Sequence, residues 1–275
     1  MSKYDVSVLM PAIRTYNWLM MYGSLLNSCK RHTFELILIS PFDLPDNMKH
    51  LDNVKLIKDY GAPTRAAQLG TQECEGRLMY HCVDDAIFLP DSIDIGIDFY
   101  NQQCGPKDVV NMRYREGANF SGQTLPPGFW MAWFHSELRL PGIPQHYKIS
   151  LHHMFSMEYF RELGGWDCQF EYINHPLHDL MFRVQADGGT LYDSPVDATT
   201  CNHYINKTGD HAPIYDAQTF SDKPKFDEMY SDLNAADSRI HLDLDNWKQS
   251  PEVWDRRFKE KDGKLPTTYD EVSGQ

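Results

Sequence analysis

Arg77-Leu78-Met79-Tyr80-His81-Cys82-Val83 is an apolar run that breaks directly into a pair of carboxylates, Asp84-Asp85, and continues as Ala86-Ile87-Phe88-Leu89-Pro90. Such a run reads as a buried strand, and a polar pair at its end marks a strand terminus. Upstream, Val6-Ser7-Val8-Leu9-Met10 is stopped by Pro11, Glu35-Leu36-Ile37-Leu38-Ile39 runs into Ser40-Pro41, and Val54-Lys55-Leu56-Ile57 forms a further short run. Between these lie two helical stretches, 19–29 and 64–74; in the second, Ala67, Gly70 and Cys74 share one face. Strands alternating with helices predict an α/β fold with a mostly parallel sheet. Open sheets of that kind bind ligands beyond the carboxyl ends of their strands, which is the edge this reading assigns to Asp84 and Asp85.

Downstream the character changes. Residues 111–147 are rich in Gly, Pro and aromatics and read as loops or an insertion, with Trp130 and Trp133 among them. Regular structure returns over 149–163, read as helical and carrying His152 and His153 at core or rim positions. Then come Leu163-Gly164-Gly165-Trp166-Asp167 and a helix over 178–186, broken by Gly188-Gly189. The remainder is polar with few apolar runs. We therefore expect a catalytic domain over 1–205, with halves of about 1–110 and 111–205, and a peripheral helical extension over 206–275.

Bulk properties narrow the partners. With 26 basic against 39 acidic residues, the net charge of -13 argues against a surface that grips nucleic acid. The six cysteines show no CxxC pair and no scaffold spacing, so free thiols in a reducing compartment are expected. No stretch reaches the ~18–20 apolar residues of a membrane span. These features predict a soluble, cytoplasmic chain; Asn119-Phe120-Ser121 and Asn206-Lys207-Thr208 then read as chance matches to the glycosylation pattern.

Taken together, the strand ending in Pro11, the run ending at Ser40-Pro41, Gly61-Ala62-Pro63-Thr64-Arg65-Ala66-Ala67-Gln68-Leu69-Gly70, the Asp84-Asp85 region, Gly164-Gly165-Trp166-Asp167 and Asp179-Leu180-Met181-Phe182-Arg183 resemble the family-2 type of inverting glycosyltransferase over roughly residues 5–205. The resemblance implies a GT-A fold, a Rossmann-like nucleotide-diphospho-sugar transferase architecture, here with a polar helical C-terminal tail. It also implies transfer of a sugar from a nucleoside diphosphate donor, UDP-linked by expectation, to a glycan or other acceptor hydroxyl. Donor contacts are expected from Pro11, Ala12, Arg14, Ser40, Arg65, Gln68, Asp84, Asp85 and Trp166. At the second run the family carries aspartates that help hold the base, whereas this chain has Ser40 and Pro41.

The chemistry gives these residue types a purpose. A departing diphosphate accumulates negative charge, and Mn²⁺ or Mg²⁺ bridging its phosphates stabilises it. Such ions favour hard oxygen ligands, so Asp85 is expected on the metal, with Asp84 facing nucleotide or sugar. At Thr200-Cys201-Asn202-His203-Tyr204 the resemblance implies a histidine that completes the metal shell, which makes His203 the expected nitrogen ligand. Inversion needs one base to take the acceptor's proton. The resemblance points to Asp179, although Pro176-Leu177-His178 stands where the family has an acid pair, and His178 and Glu171 stay open as alternatives. Asp179 reads equally as a helix cap or an i,i+4 partner of Arg183. A module that binds a nucleotide sugar or glycan without turnover is the second reading.

Overall fold

The structure is a computed structural model that describes residues 2–116, 131–133, 136–139, 146–201, 212–231 and 235–250. Its first half alternates as the sequence predicts. Strand β1 (Tyr4–Pro11) is followed by helix α1 (Thr15–Ser28), β2 (Phe34–Ser40), β3 (Val54–Lys58), α2 (Pro63–Gly70) and β4 (Gly76–His81). These four strands pair in parallel in the order β3-β2-β1-β4. Every residue of β2 is buried, as befits a strand whose two faces are both covered. Glu35, polar within that strand, is kept satisfied by Ser7 Oγ at 2.6 Å and Lys55 Nζ at 3.1 Å. Helix α2 opens with Pro63, whose missing N–H costs nothing at that position.

The chain continues through β5 (Ala86–Phe88), α3 (Ser92–Gln103), β6 (Val109–Asn111), β7 (Tyr114–Glu116), β8 (Met131–Trp133), β9 (Ser136–Arg139), β10 (His146–Ile149) and β11 (His153–Ser156). Then follow α4 (Met157–Glu162), α5 (Asn174–Ala186), β12 (Leu191–Asp193) and β13 (Thr199–Cys201). Strand β11 enters the main sheet antiparallel beside β4, and β6 and β12 complete it, giving seven strands in the order β12-β6-β11-β4-β1-β2-β3. The stretch expected to be loops supplies β7 and β8 of a smaller sheet, β5-β13-β7-β8, and β9 and the start of β10, which pair antiparallel.

Two expectations change here. His152 and His153 do not sit on a helix: His153 starts β11 and pairs with His81 of β4. A four-residue strand buried on both faces carries no alternation, so its period cannot be told from a helical segment. Helix α5 starts at Asn174, earlier than the expected 178, so Asp179 lies inside the helix and not at its cap.

Helices α6 (Ala212–Ala217), α7 (Lys223–Met229) and α8 (Ala235–Ser238), with a π-helical turn at Gln218–Asp222 between the first two, form the described part of the C-terminal extension. This part is knitted into the fold. Leu242 N donates to Leu163 O at 3.0 Å, and Gln68 Nε2 to Leu244 O at 2.9 Å. The turn it meets contains Gly164 and Gly165, at φ +78° and +72°, where added Cβ atoms would collide with the Leu242 carbonyl and the Gln68 amide. Glycine is therefore required at both by conformation and by space. All six cysteines are free, and no helix among the described residues is long and apolar enough to cross a membrane.

Candidate active site

The loops after β1, β3 and β4 converge on a solvent-open cleft at the carboxyl edge of the parallel strands. Pro11 to Arg14 form one lip, Ile39, Pro41 and Asp59 lie towards the sheet edge, and Cys82 to Asp85 cross the middle. The far wall comes from Leu151, His152, Tyr172 to Asn174, Leu177 and, from the C-terminal extension, Ile214.

Asp84 organises the first lip. It is buried, and its Oδ2 accepts the backbone N–H groups of Ile13 and Arg14, both at 2.7 Å, while Oδ1 pairs with the Arg14 guanidinium. Asn17 Nδ2 donates to the Asp84 carbonyl at 3.3 Å, tying the same loop to α1. Burial pushes the Asp84 carboxyl up, but the Arg14 charge and the two backbone donors outweigh it and hold the group below the usual carboxylate value. Asp85, equally buried, also borders the cleft. Asp84, expected to face the nucleotide or sugar, thus shapes the loop, and Asp85 lines the cleft beside it.

The remaining architecture has known counterparts. No protein-family model matches the chain, and no curated protein matches it in sequence. Among solved structures, S. aureus TarS 1-349 in complex with UDP superposes with a TM-score of 0.54 at 11% identity, covering 98% of each chain. GalNAc-T7 with UDP, GalNAc and Mn²⁺ gives 0.57 at 13% identity over 77% of this chain and 46% of that one. The longer TarS chain gives 0.50 at 11% identity, and only 37% of its length is covered. The fold is GT-A. At these identities the likeness establishes the architecture; ligands belong to the proteins that hold them.

Within this GT-A fold the expected site residues separate into two groups. Pro11, Ala12, Arg14, Asp84 and Asp85 all border the cleft. The others are turned to the fold itself. Ser40 points into the sheet end, where its Oγ accepts the Phe42 N–H at 3.0 Å, leaving Ile39 and Pro41 at the cleft. Arg65 reaches away to Asp59 Oδ1 at 3.1 Å and the Trp247 carbonyl at 3.1 Å, with the Trp247 ring 5.3 Å below its guanidinium. Gln68 divides its amide between the glycine turn and the extension: Nε2 donates to Gly164 O and Leu244 O, both at 2.9 Å, and Oε1 accepts Trp166 N at 3.0 Å. Trp166 cannot stack on a sugar, because its ring is fully buried against His81 and Phe160 at 5.0 and 4.7 Å.

The expected base is likewise placed elsewhere. Asp179 is fully buried: Oδ2 accepts Arg183 Nε at 2.8 Å, and Oδ1 accepts the Tyr230 hydroxyl at 2.7 Å, with Arg239 Nη2 at 3.5 Å. Arg183 also donates to the Leu163 and Gly165 carbonyls, so the pair clamps the glycine turn to α5. The ion-pair reading of Asp179 prevails, since a carboxylate so committed does not border the cleft. His178 is packed between His175 and Phe226, and burial followed by the neighbouring His175 pushes its pKa down to about 4. Glu171 is buried beside the cleft, where its backbone N–H meets Asp222 and its carbonyl accepts from Thr64. His203 and Trp130 lie outside the described residues, and of Trp133 only the backbone, in β8, is described.

Sequence reading missed several cleft residues. Asp59 follows β3 and was legible as a strand-end acid, held here by Gly61 N and Arg65 Nε, each at 3.1 Å. His81 ends β4 with Nδ1 3.3 Å from the Leu151 carbonyl and its ring stacked on His153 at 5.3 Å; burial pushes its pKa down to about 4. Behind the cleft wall, Asp222 of the extension accepts the N–H groups of Glu171 and Tyr172 at 3.1 and 2.7 Å. Nothing local in its sequence announces that role.

Proposed function

We propose that this chain transfers a sugar from a nucleoside diphosphate donor, UDP-linked, to an acceptor hydroxyl with inversion, assisted by Mn²⁺ or Mg²⁺. The observation that carries this reading is the pairing of Asp84 and Asp85 at the cleft of a GT-A fold: one acid shapes the loop after β1, and both line the cleft. That TarS and GalNAc-T7 hold UDP in the same architecture supports the donor class, and the Mn²⁺ of GalNAc-T7 supports the cofactor.

The ion must be reconciled with the donor set. No group of three or more His, Cys, Asp or Glu side chains among the described residues could hold a metal unaided. Asp85 supplies a hard oxygen donor that suits Mn²⁺ or Mg²⁺, and a diphosphate brings further oxygens of the same kind. Asp85 would therefore hold the ion jointly with the substrate, and the ion would stabilise charge on the leaving group. The chain's own residues do the rest. Asp84 presents the 12–14 loop in one conformation, so the donor meets a preorganised lip, and Arg14 adds positive charge to it. Six free thiols fit a reducing compartment such as the cytoplasm.

Thermal unfolding with UDP, GDP and CDP, each with and without Mn²⁺, tests the reading. A ligand at a hundred times its dissociation constant adds about 2.7 kcal/mol. The expected result is a gain with UDP that needs Mn²⁺ and disappears in Asp85→Asn; no gain with any nucleotide overturns the proposal. Leu177, apolar where the resemblance has an acid, favours a binding module, and release of UDP from UDP-sugars distinguishes an enzyme from it.

A further inference from the structure

The resemblance places base-holding aspartates at the end of β2, where this chain has Ser40 and Pro41. Ser40 is buried with its Oγ on the Phe42 N–H, and Pro41 has no N–H to give. An acid stands one strand over. The parallel register pairs Ser40 with Lys58, and Asp59 N donates to the Ser40 carbonyl at 3.2 Å, so the chain leaves β3 with Asp59 beside Pro41. Asp59 lines the cleft there, and so do the apolar Ile39, Pro41, Pro63 and Ala66. Apolar walls with one placed polar group are what a planar nucleobase needs.

The charges of the cleft are divided between two places. Among the described residues, Arg14, Asp59, Asp84 and Asp85 are the Asp, Glu, Lys and Arg side chains that line it. Three of them belong to the loops after β1 and β4, where Asp84 pairs with Arg14 and the proposed cation lies at Asp85. Asp59 is apart from them. In the order β3-β2-β1-β4, β3 lies three positions from β4, and at about 4.8 Å per strand their carboxyl ends are roughly 14 Å apart. An extended nucleoside diphosphate with its phosphates at Asp85 spans that distance and brings the outer edge of its base to the end of β3. The carboxylate waiting there is oriented by Gly61 N on Oδ2 and Arg65 Nε on Oδ1, each at 3.1 Å. Each oxygen keeps a second lone pair, and a carboxylate can only accept.

We propose that Asp59 decides between the pyrimidine bases of the donor by accepting the N3–H of uracil at the sheet edge. Uracil carries a proton on N3, which the carboxylate binds. Cytosine carries a lone pair on N3, which would oppose a carboxylate oxygen while its amino group met the other. The two bases fill the same space, so the selection comes from this edge and from the cost of setting two acceptors against each other.

The inference rests on the nucleoside diphosphate reading of the cleft, and its test needs no turnover. Calorimetric titration with Mn²⁺ present compares UDP, CDP and 3-methyluridine diphosphate on the unaltered chain, Asp59→Asn and Asp59→Ala. The unaltered chain is expected to bind UDP about tenfold or more tightly than either analogue. In Asp59→Asn the amide can donate to cytosine N3 and accept from its amino group, so the preference for UDP over CDP should fall towards parity. In Asp59→Ala both preferences should collapse. Each ratio is taken within one protein, so a variant that folds less fully does not distort it, and the methylated analogue tests the contact on the unaltered chain alone. Preferences that stay the same in all three proteins overturn the assignment and leave the donor reading standing. An unaltered chain that binds both analogues as tightly as UDP does the same. An unaltered chain that binds none of the three fails the donor reading, and this inference falls with it.

Discussion

The two walls of the cleft are held by the same device with opposite electrostatics. On the donor side, buried Asp84 accepts the consecutive N–H groups of Ile13 and Arg14. On the far side, buried Asp222 accepts those of Glu171 and Tyr172. Burial raises the carboxyl in both places. At Asp84 the Arg14 guanidinium reverses the effect, whereas at Asp222 burial prevails over the Tyr172 bond and the weaker pull of Lys225 and lifts the group to about 6. A backbone latch thus ionises at lower pH where a cation is built beside it. The donor lip is fixed through the neutral pH range, and the far wall hangs on a carboxylate that ionises reluctantly.

The sharpest way to break this contrast is to remove the donor latch. Asp84→Ala leaves Arg14 buried without its carboxylate, and breaking one partner of a buried pair costs about 3–5 kcal/mol. Urea unfolding is expected to show a loss of that size, together with loss of any UDP-dependent thermal shift; a loss below about 1 kcal/mol would mean that the pair is not what holds the lip. The glycine turn behind the far wall comes next. Gly165→Ala forces a Cβ into the left-handed region, at about 1–2 kcal/mol, and displaces the Gln68 amide as well. We expect a total of roughly 2–3 kcal/mol in the same measurement, and a neutral result would show that the turn relaxes freely.

How far the sequence discloses this site depends on how local each latch is. Asp84 follows β4 directly and bonds a loop that follows β1, so two strand-end signals suffice to bring it to the cleft. Asp179 shows the limit of such reading. Its Asp-Leu-x-x-Arg pattern matches a catalytic helix, but Tyr230 and Arg239 arrive from the extension and convert the pattern into a clamp. Trp166 has the right company for stacking on a sugar, yet its ring is spent on the core. Asp222 was missed because long-range packing places it, through the π-helical turn of the extension.

The far latch predicts a pH signature. A carboxyl raised from 3.8 to about 6 in the folded chain binds its proton more tightly there than when unfolded. Its contribution to stability is therefore lost as pH rises from about 4 to about 6 and is level above that, the reverse of Asp84, whose contribution is lost only as pH falls through its lowered value. Asp222→Asn keeps an oxygen to accept the Glu171 and Tyr172 N–H groups and removes the charge. Unfolding midpoints measured across pH 4–7 should show the variant gaining on the unaltered chain by roughly 1–3 kcal/mol as pH rises. Parallel curves would remove Asp222 from the comparison and leave the far wall as rigid as the donor lip.

The smallest expected effect tests whether the donor lip is complete as drawn. Arg65 lies in the first turn of α2, where backbone N–H groups favour anions, and the resemblance assigns it to the donor. In the fold it bonds Asp59 and the Trp247 carbonyl and lies over the Trp247 ring, away from the cleft. Its pair with Asp59 is partly exposed, and such pairs contribute about 0–1 kcal/mol. Arg65→Gln should therefore lower stability by less than about 1 kcal/mol and change UDP affinity, read by calorimetric titration with Mn²⁺ present, by less than about twofold, a difference under about 0.5 kcal/mol. A tenfold loss of affinity with stability unchanged would bring Arg65 back to the phosphates. It would require α2 and the 246–249 turn to part when the donor binds, so that the lip fixed by Asp84 and Arg14 would be only half of the donor site.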